Sequence, residues 1–135
     1  MNLHNKSHIK YNQKFNQSNS ILRKGNYGIK STSFGRLTER QIIFLKNLII
    51  KSSRKTVKSK KSIKIWSKTI LNFNLTKLSS ESRMGKGKGS IYALGSFIRP
   101  GSILFEFESS LYPQAIYILS KTNKCCNLKL VLIKR

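Results

Sequence analysis

Apolar residues recur with helical spacing in two segments of the chain. Thr38 opens a Thr-Glu-Arg-Gln string that matches a capping box, and the apolar residues after it repeat every three to four positions. This pattern predicts a helix from residue 38 to about residue 51 with one apolar face and one basic face. A second helix is predicted over 112–124, with Pro113 in its first turn, where proline is tolerated.

Runs of β-branched, aromatic and other apolar residues predict the strands. They cover 63–66, 91–98, 103–108 and 128–133, and the segment 70–73 continues or pairs with the first of them. Arg99, Pro100 and Gly101 separate the second strand from the third, and this sequence is typical of a tight turn, so the two strands are predicted to form a hairpin. The combination predicts an α+β fold, a mostly antiparallel sheet packed with two helices.

Three other segments lack an apolar period. The lysine-rich stretch 52–62 is predicted to be a solvated or phosphate-facing loop, and 74–90 is predicted to be a long loop that ends in glycine and lysine. Residues 1–24 are polar, basic and free of acids, which predicts an extended N-terminal arm before a single domain at 25–135. A targeting presequence is the competing interpretation of the arm, although no arginine precedes Arg23.

Charge decides the class of partner. The 135 residues include 27 Lys and Arg against four acids, for a formal net charge of +23. A body this small repels itself at that charge, which predicts a polyanionic partner, either a nucleic acid or an anionic membrane surface. The apolar runs are too short to cross a bilayer.

The sequence holds few candidates for catalysis, metal binding or a cofactor. Glu106 and Glu108 could form a hydrolase pair, but on the outward face of the predicted hairpin they are more simply partners for lysines. His4 and His8 have no third metal ligand nearby, and the cysteines at 125–126 are predicted to be free thiols. We therefore expect no enzymatic activity, no metal and no cofactor.

The segment 83–89 alternates glycine with lysine. It is not a P-loop, because the Walker spacing is absent and a strand follows. Its backbone and lysines could approach a phosphate chain closely, and the alternative is a flexible solvated loop. Aromatic residues among the charges, such as Tyr27, Phe34 and Trp66, could stack on bases, so basic segments on a small α+β body favour structured RNA.

Five strings carry a family resemblance. They are GNYGIK at 25–30, GRLTERQI at 35–42, KIW at 64–66, RMGKGKG at 83–89 and RPG at 99–101. In this order they resemble the bacterial-type large-subunit ribosomal protein sixteen family, over a match that runs from about residue 25 to the C-terminus. Between Trp66 and Arg83 the chain lacks the family's usual prolines.

The resemblance implies an RNA-binding structural constituent of the large ribosomal subunit. Its partners would be large-subunit rRNA, neighbouring large-subunit proteins and, transiently, tRNA, and it would help to shape the aminoacyl-tRNA docking site near the peptidyl transferase centre. The loop expected to extend toward that centre comprises Arg83, Met84, Gly85, Lys86, Gly87, Lys88 and Gly89. In some bacteria the arginine that matches Arg83 is hydroxylated.

The residues expected to bind rRNA are basic and spread along the chain. They are Lys10, Lys14, Arg23, Lys24, Lys30, Arg36, Arg40, Arg54, Lys55, Lys58, Lys60, Lys61 and Lys64. Lysine outnumbers arginine 20 to 7, which indicates an AT-rich genome of the kind common in organelles and in some bacteria and protists. A mitochondrion is favoured over a plastid or a bacterial cytoplasm, because plastid members of the family that the chain resembles tend to keep the arginines and prolines that are lost here. The alternative function is a non-specific protein that binds nucleic acids or anionic membrane surfaces through its lysines.

Overall fold

The structure is a computed structural model that describes residues 6, 14, 20–56, 63–85, 87–109 and 111–135. Within these residues the chain forms two helices and seven strands, which confirms the predicted α+β class. The helices are α1 (Glu39–Thr56) and α2 (Tyr112–Cys125). The strands are β1 (Tyr27–Ser31), β2 (Gly35–Thr38), β3 (Ile65–Ser67), β4 (Phe73–Lys77), β5 (Ser90–Ile98), β6 (Ile103–Phe107) and β7 (Leu130–Lys134).

The strands form two antiparallel sheets. The four-stranded sheet has the order β3-β6-β1-β7, and the three-stranded sheet has the order β2-β5-β4. One hydrophobic core draws on both sheets and both helices, with Ile29, Leu37, Ile49, Phe105 and Ile118 among its buried members. The two helices pack on each other, α1 contacts β2 and β5, and α2 contacts β7.

The capping box at the start of α1 is confirmed, but the helix is longer than predicted. The amide of Thr38 donates to Oε1 of Gln41 at 2.8 Å, as a capping box requires. At the other end, Ser52 and Ser53 are buried in the helix, and the Gln114 side chain donates to the carbonyl of Ser53 at 3.1 Å. The prediction of a loop is therefore wrong for 52–56. The hydrogen bond from α2 gives the polar backbone of this buried segment a partner, so the helix can continue through it. Residues 57–62 lie outside the described residues.

The predicted hairpin between β5 and β6 is wrong. The turn itself is present, since Gly101 has a φ of +89° and the amide of Ser102 donates to the carbonyl of Arg99 at 3.1 Å. However, β5 pairs with β2 and β4, whereas β6 pairs with β1 and β3. The amide of Gly101 donates to the carbonyl of Ser31 at 2.8 Å, so the turn is tied to the end of β1 and passes the chain from one sheet to the other.

The segment 70–73 neither continues the strand predicted at 63–66 nor pairs with it, because 70–72 is not a strand and Phe73 begins β4, which pairs with β5. The remaining elements differ from the predictions mainly in extent. The strand predicted at 63–66 is β3, the second helix is α2, and the closing strand is β7. The predicted loop over 74–90 is wrong in its first part, because residues 73–77 form β4 and pair with β5. This pairing makes β4 and β5 the two arms of a hairpin whose connecting loop is 78–89. The strands β1 and β2 were not predicted.

Candidate nucleic-acid interface

Positive charge covers the surface of the described part of the chain. Each described lysine and arginine is exposed or half-buried, and none is in the core. Two of the four glutamates are not available to oppose an anionic partner. Glu106 is completely buried, and the carboxylate of Glu108 lies 3.9 Å from the ammonium of Lys64. The surface therefore offers cations to a partner and few carboxylates that would oppose binding.

The structure places the predicted rRNA-binding residues on several elements. Lys14, Arg23 and Lys24 precede β1, Lys30 lies on β1, Arg36 on β2, Arg40, Arg54 and Lys55 on α1, and Lys64 directly before β3. Arg40 lies near the start of α1 and Arg54 near its end, so they are about 20 Å apart along the helix. Lys10, Lys58, Lys60, Lys61 and Lys86 lie outside the described residues.

One group of these residues converges on a buried carboxylate. Both oxygens of Glu106 accept the amide of Arg23 at 3.2 Å, and Oε2 also accepts the amides of Lys24 at 2.7 Å and Gly25 at 3.1 Å. The ammonium of Lys68 pairs with Oε1. We call this arrangement of Glu106, Lys68 and the three amides the Glu106 clasp.

The clasp fixes the charge state of Glu106. Burial alone raises the pKa of a carboxyl, but the ammonium of Lys68 and the three amides outweigh it and lower the pKa of Glu106 from 4.5 to about 2. The carboxylate is therefore ionised at any physiological pH. The expectation that Glu106 lies on an outward face is wrong, because β6 is covered on both faces, whereas the expectation of lysine partners is confirmed for Glu106 and Glu108.

The same contacts fasten the segment before β1 to the domain. Lys68 also donates to the carbonyl of Ile21 at 2.9 Å, and Leu22 is buried. A Cβ at Gly25 would lie 2.7 Å from the carbonyl oxygen of Phe107, so only glycine allows this approach to β6. The side chains of Arg23 and Lys24 remain exposed although their amides are held inside.

The glycine and lysine loop extends away from the domain. β2 pairs with β5 only from Gly95 to Ile98, so the first half of β5 and the 78–89 loop project beyond β2. Met84 is fully exposed, and Gly85 and Gly87 both have a φ of +86° with open space where a Cβ would be. The ammonium of Lys6, in the N-terminal arm, donates to the carbonyl of Lys88 at 2.6 Å.

Two of the aromatic residues considered for base stacking have partners inside the fold. Tyr27 is buried with its ring centroid 6.0 Å from that of Phe107, and the ring of Phe34 stacks at 6.3 Å on Phe97. Trp66 is half-buried on β3.

Sequence reasoning did not single out Lys68 as a partner of Glu106, because only the pairing of β3 with β6 brings their segments together.

The described residues contain no group of three or more His, Cys, Asp or Glu that could hold a metal ion. Cys125 and Cys126 are free thiols, as predicted, and burial raises the pKa of Cys126. His4 and His8 lie outside the described residues. Within that part of the chain, neither helix combines the length and apolar character needed to span a membrane.

Comparison with known proteins decides the family. The model of the ribosomal protein L16p/L10e family matches residues 2–125. The chain belongs to the ribosomal protein L16p/L10e family. The match confirms the resemblance found in the sequence strings, and it includes most of the N-terminal arm. The family is one of ribosomal structural proteins, so the expectation that the chain is not an enzyme is also confirmed.

Curated relatives agree with this assignment. The chain is 43% identical over 126 residues to the large ribosomal subunit protein uL16m of Chondrus crispus, which covers 93% of this chain and 91% of that protein. It is 38% identical over 113 residues to the large ribosomal subunit protein uL16 of Carsonella ruddii, covering 82% and 79%. A uL16 of a Sulfurihydrogenibium species is 38% identical over 82 residues, covering 61% and 55%.

Proposed function

We propose that this L16-family protein is a structural constituent of the large subunit of a mitochondrial ribosome and that it binds large-subunit rRNA. The family match over residues 2–125 is the observation that carries the proposal. The mitochondrial placement rests on the 43% identity to uL16m of Chondrus crispus. A net charge of +23 supplies the counterpart to an RNA backbone and accounts for a surface rich in lysine.

The rRNA contacts are proposed to run from the N-terminal arm over the basic residues of the domain. Arg23, Lys24, Arg36, Arg40, Arg54, Lys55 and Lys64 all have exposed side chains that can reach phosphates. The Glu106 clasp holds the amides of Arg23 and Lys24 while their side chains point outward. The arm therefore leaves the domain from a fixed point, which reduces the conformational freedom lost on binding RNA.

The 78–89 loop is proposed to reach toward the peptidyl transferase centre and to contact tRNA transiently. Three features support this role: the loop projects beyond β2, Arg83 and Lys88 are exposed on it, and glycines give its backbone room for close approach. The chain supplies no reacting group in this role. It neutralises phosphate charge and holds the shape of the docking site.

Sedimentation tests the function directly. Mitochondrial lysate is run through a sucrose gradient at high salt, and peptides of this chain are quantified by mass spectrometry across the fractions. We expect near-stoichiometric recovery with the large subunit, because a ribosomal constituent is also held by RNA shape and base contacts, which are less sensitive to salt than phosphate contacts alone. Release into the soluble or membrane fraction at moderate salt would instead support non-specific binding of polyanions.

A further inference from the structure

A groove with a volume of about 410 Å³ lies between α1 and α2, away from the Glu106 clasp and the 78–89 loop. Phe44 and Leu48 stand one turn apart on α1, and Tyr117 of α2 also lines the groove. As a residue, Phe44 is 54% exposed. Phe44 and Tyr117 therefore give this groove an aromatic surface.

The exposed ring is not explained by packing of the helix. α1 contributes Ile42, Leu45 and Ile49 to the core, and all three are buried. Phe44 lies outside that stripe, on the flank of the helix next to α2. Because Phe44 lies at the wall of a groove and outside the core, its ring is available to a ligand that enters the groove.

Cations surround this aromatic surface. Lys51, Lys55 and Lys121 line the groove, and the ammonium of Lys121 lies 5.4 Å from the centroid of the Tyr117 ring. All four glutamates are among the described residues, and none of them lines the groove. The ligand is therefore expected to combine negative charge with a flat apolar group.

An unpaired nucleotide has this combination. Bases stack on aromatic side chains when they are splayed out of a helix, while the phosphates on either side interact with lysines. A protein segment that binds a groove as a helix needs several apolar anchors spaced over two or more turns. The apolar part of this groove spans only the turn from Phe44 to Leu48, which suits a single planar group better.

We infer that the groove between α1 and α2 binds one unpaired nucleotide of RNA. The base stacks on Phe44, and the adjoining phosphates interact with Lys51, Lys55 and Lys121. The inference rests on the proposed function for the identity of the RNA, which would be large-subunit rRNA. It adds to that function a contact that requires a base outside a duplex.

Binding of the full chain to single-stranded RNA tests the inference. The probe is an oligonucleotide that carries one 2-aminopurine, and the same strand annealed to its complement is the duplex reference. Phe44→Ala is compared with Ile43→Ala, because Ile43 is 52% exposed on the same helix but does not line the groove. Phe44→Leu keeps apolar packing without the ring, and thermal unfolding checks that each variant folds.

We expect Phe44→Ala and Phe44→Leu to weaken single-strand binding roughly fivefold or more and to abolish quenching of the 2-aminopurine, because base stacking on the ring is lost. Duplex binding should be unchanged, and Ile43→Ala should bind both RNAs as the unchanged protein does. Lys121→Gln should keep the quenching and lower the slope of log affinity against log salt by about 0.7 for the single strand.

Equal affinity of Phe44→Ala and Ile43→Ala for the single strand would overturn the inference, as would an equal loss for single strand and duplex. A polyglutamate peptide that binds the unchanged protein but not Phe44→Ala, while RNA binding is the same for both, would assign the groove to an acidic protein segment. If the inference alone fails, the unchanged protein still sediments with the large subunit. If the proposed function fails, it does not.

Discussion

The carboxylate of Glu106 and the ammonium of Lys68 form an ion pair in which the acid is completely buried and the Lys68 side chain is 18% exposed. β3 precedes Lys68 and pairs with β6, which carries Glu106, so the sheet register sets this contact. The same carboxylate binds the amides of Arg23, Lys24 and Gly25. One side chain therefore joins the N-terminal arm, β3 and β6.

Removing the charge of Glu106 should destabilise the fold. Glu106→Gln leaves Lys68 without its counterion and gives three amides a weaker acceptor, so we expect a loss of about 3 kcal/mol in the free energy of unfolding, measured in urea. The control is Glu108→Gln, which disrupts a 3.9 Å pair between side chains that are 74% and 53% exposed. That variant should lose less than about 1 kcal/mol, and equal losses would contradict the role of the clasp.

Acid should weaken the clasp in a defined window. The pKa of Glu106 falls from 4.5 in the unfolded chain to about 2 in the fold, so the unfolded state binds more protons between these values. The stability that Glu106 contributes is complete above pH 4.5 and is lost as the pH falls toward 2. Urea titrations from pH 6 to pH 2 should show this decline, of about 3 kcal/mol, and Glu106→Gln should lack it. A parallel decline in the variant would assign the effect to other acids.

In the 78–89 loop, Gly89, next to β5, should be more sensitive to substitution than Gly87. A Cβ at Gly89 would collide with the backbone of Lys77, whereas the space around Gly87 is open. Gly89→Ala should therefore loosen the β4 and β5 hairpin, seen as faster amide hydrogen exchange at Thr76 and Ile91, which are paired. Gly87→Ala strains only a positive φ in the loop and should leave exchange at both residues unchanged.

The loop arginine should matter more for tRNA docking than for subunit assembly. We expect Arg83→Ala to slow tRNA accommodation or translation while the large subunit still assembles, because Arg83 is exposed on a projecting loop. Arg36→Ala, which removes an exposed arginine from β2, should instead weaken binding to rRNA. Subunit occupancy and the translation rate of purified ribosomes distinguish the two effects. An assembly block with normal activity in completed Arg83→Ala particles would contradict the prediction.

Local patterns predicted the helices better than the sheets. The capping box at Thr38 and Gln41 and the apolar spacing after it are local, and the structure confirms them. The end of α1 was missed because its burial depends on Gln114, which lies far away in the sequence. β1 and β2 were missed because short strands containing Gly28 and Gly35 carry little apolar alternation.

The sequence patterns failed mainly in predicting which strands pair with each other. Pro100 and Gly101 define a turn, but turn chemistry does not determine whether the flanking strands pair with each other. Here β5 and β6 find partners elsewhere in the chain, and Glu106 is consequently inside rather than outside. The abundance of basic residues was evident from composition. The groove at Phe44 could not be predicted in this way, because it forms only when α1 and α2 pack side by side.

The position of β1 in the sheet determines when this strand can pair during synthesis of the protein. β1 lies between β6 and β7, with Tyr27 opposite both Phe107 and Lys134. During synthesis, both edges of β1 therefore wait for partners until most of the remaining chain has been translated. Open strand edges pair readily with other chains, and the excess of lysine and arginine, which gives the complete chain a net charge of +23, makes copies repel one another during this delay. The charge that recruits RNA would thus also protect the protein from aggregation before RNA is bound.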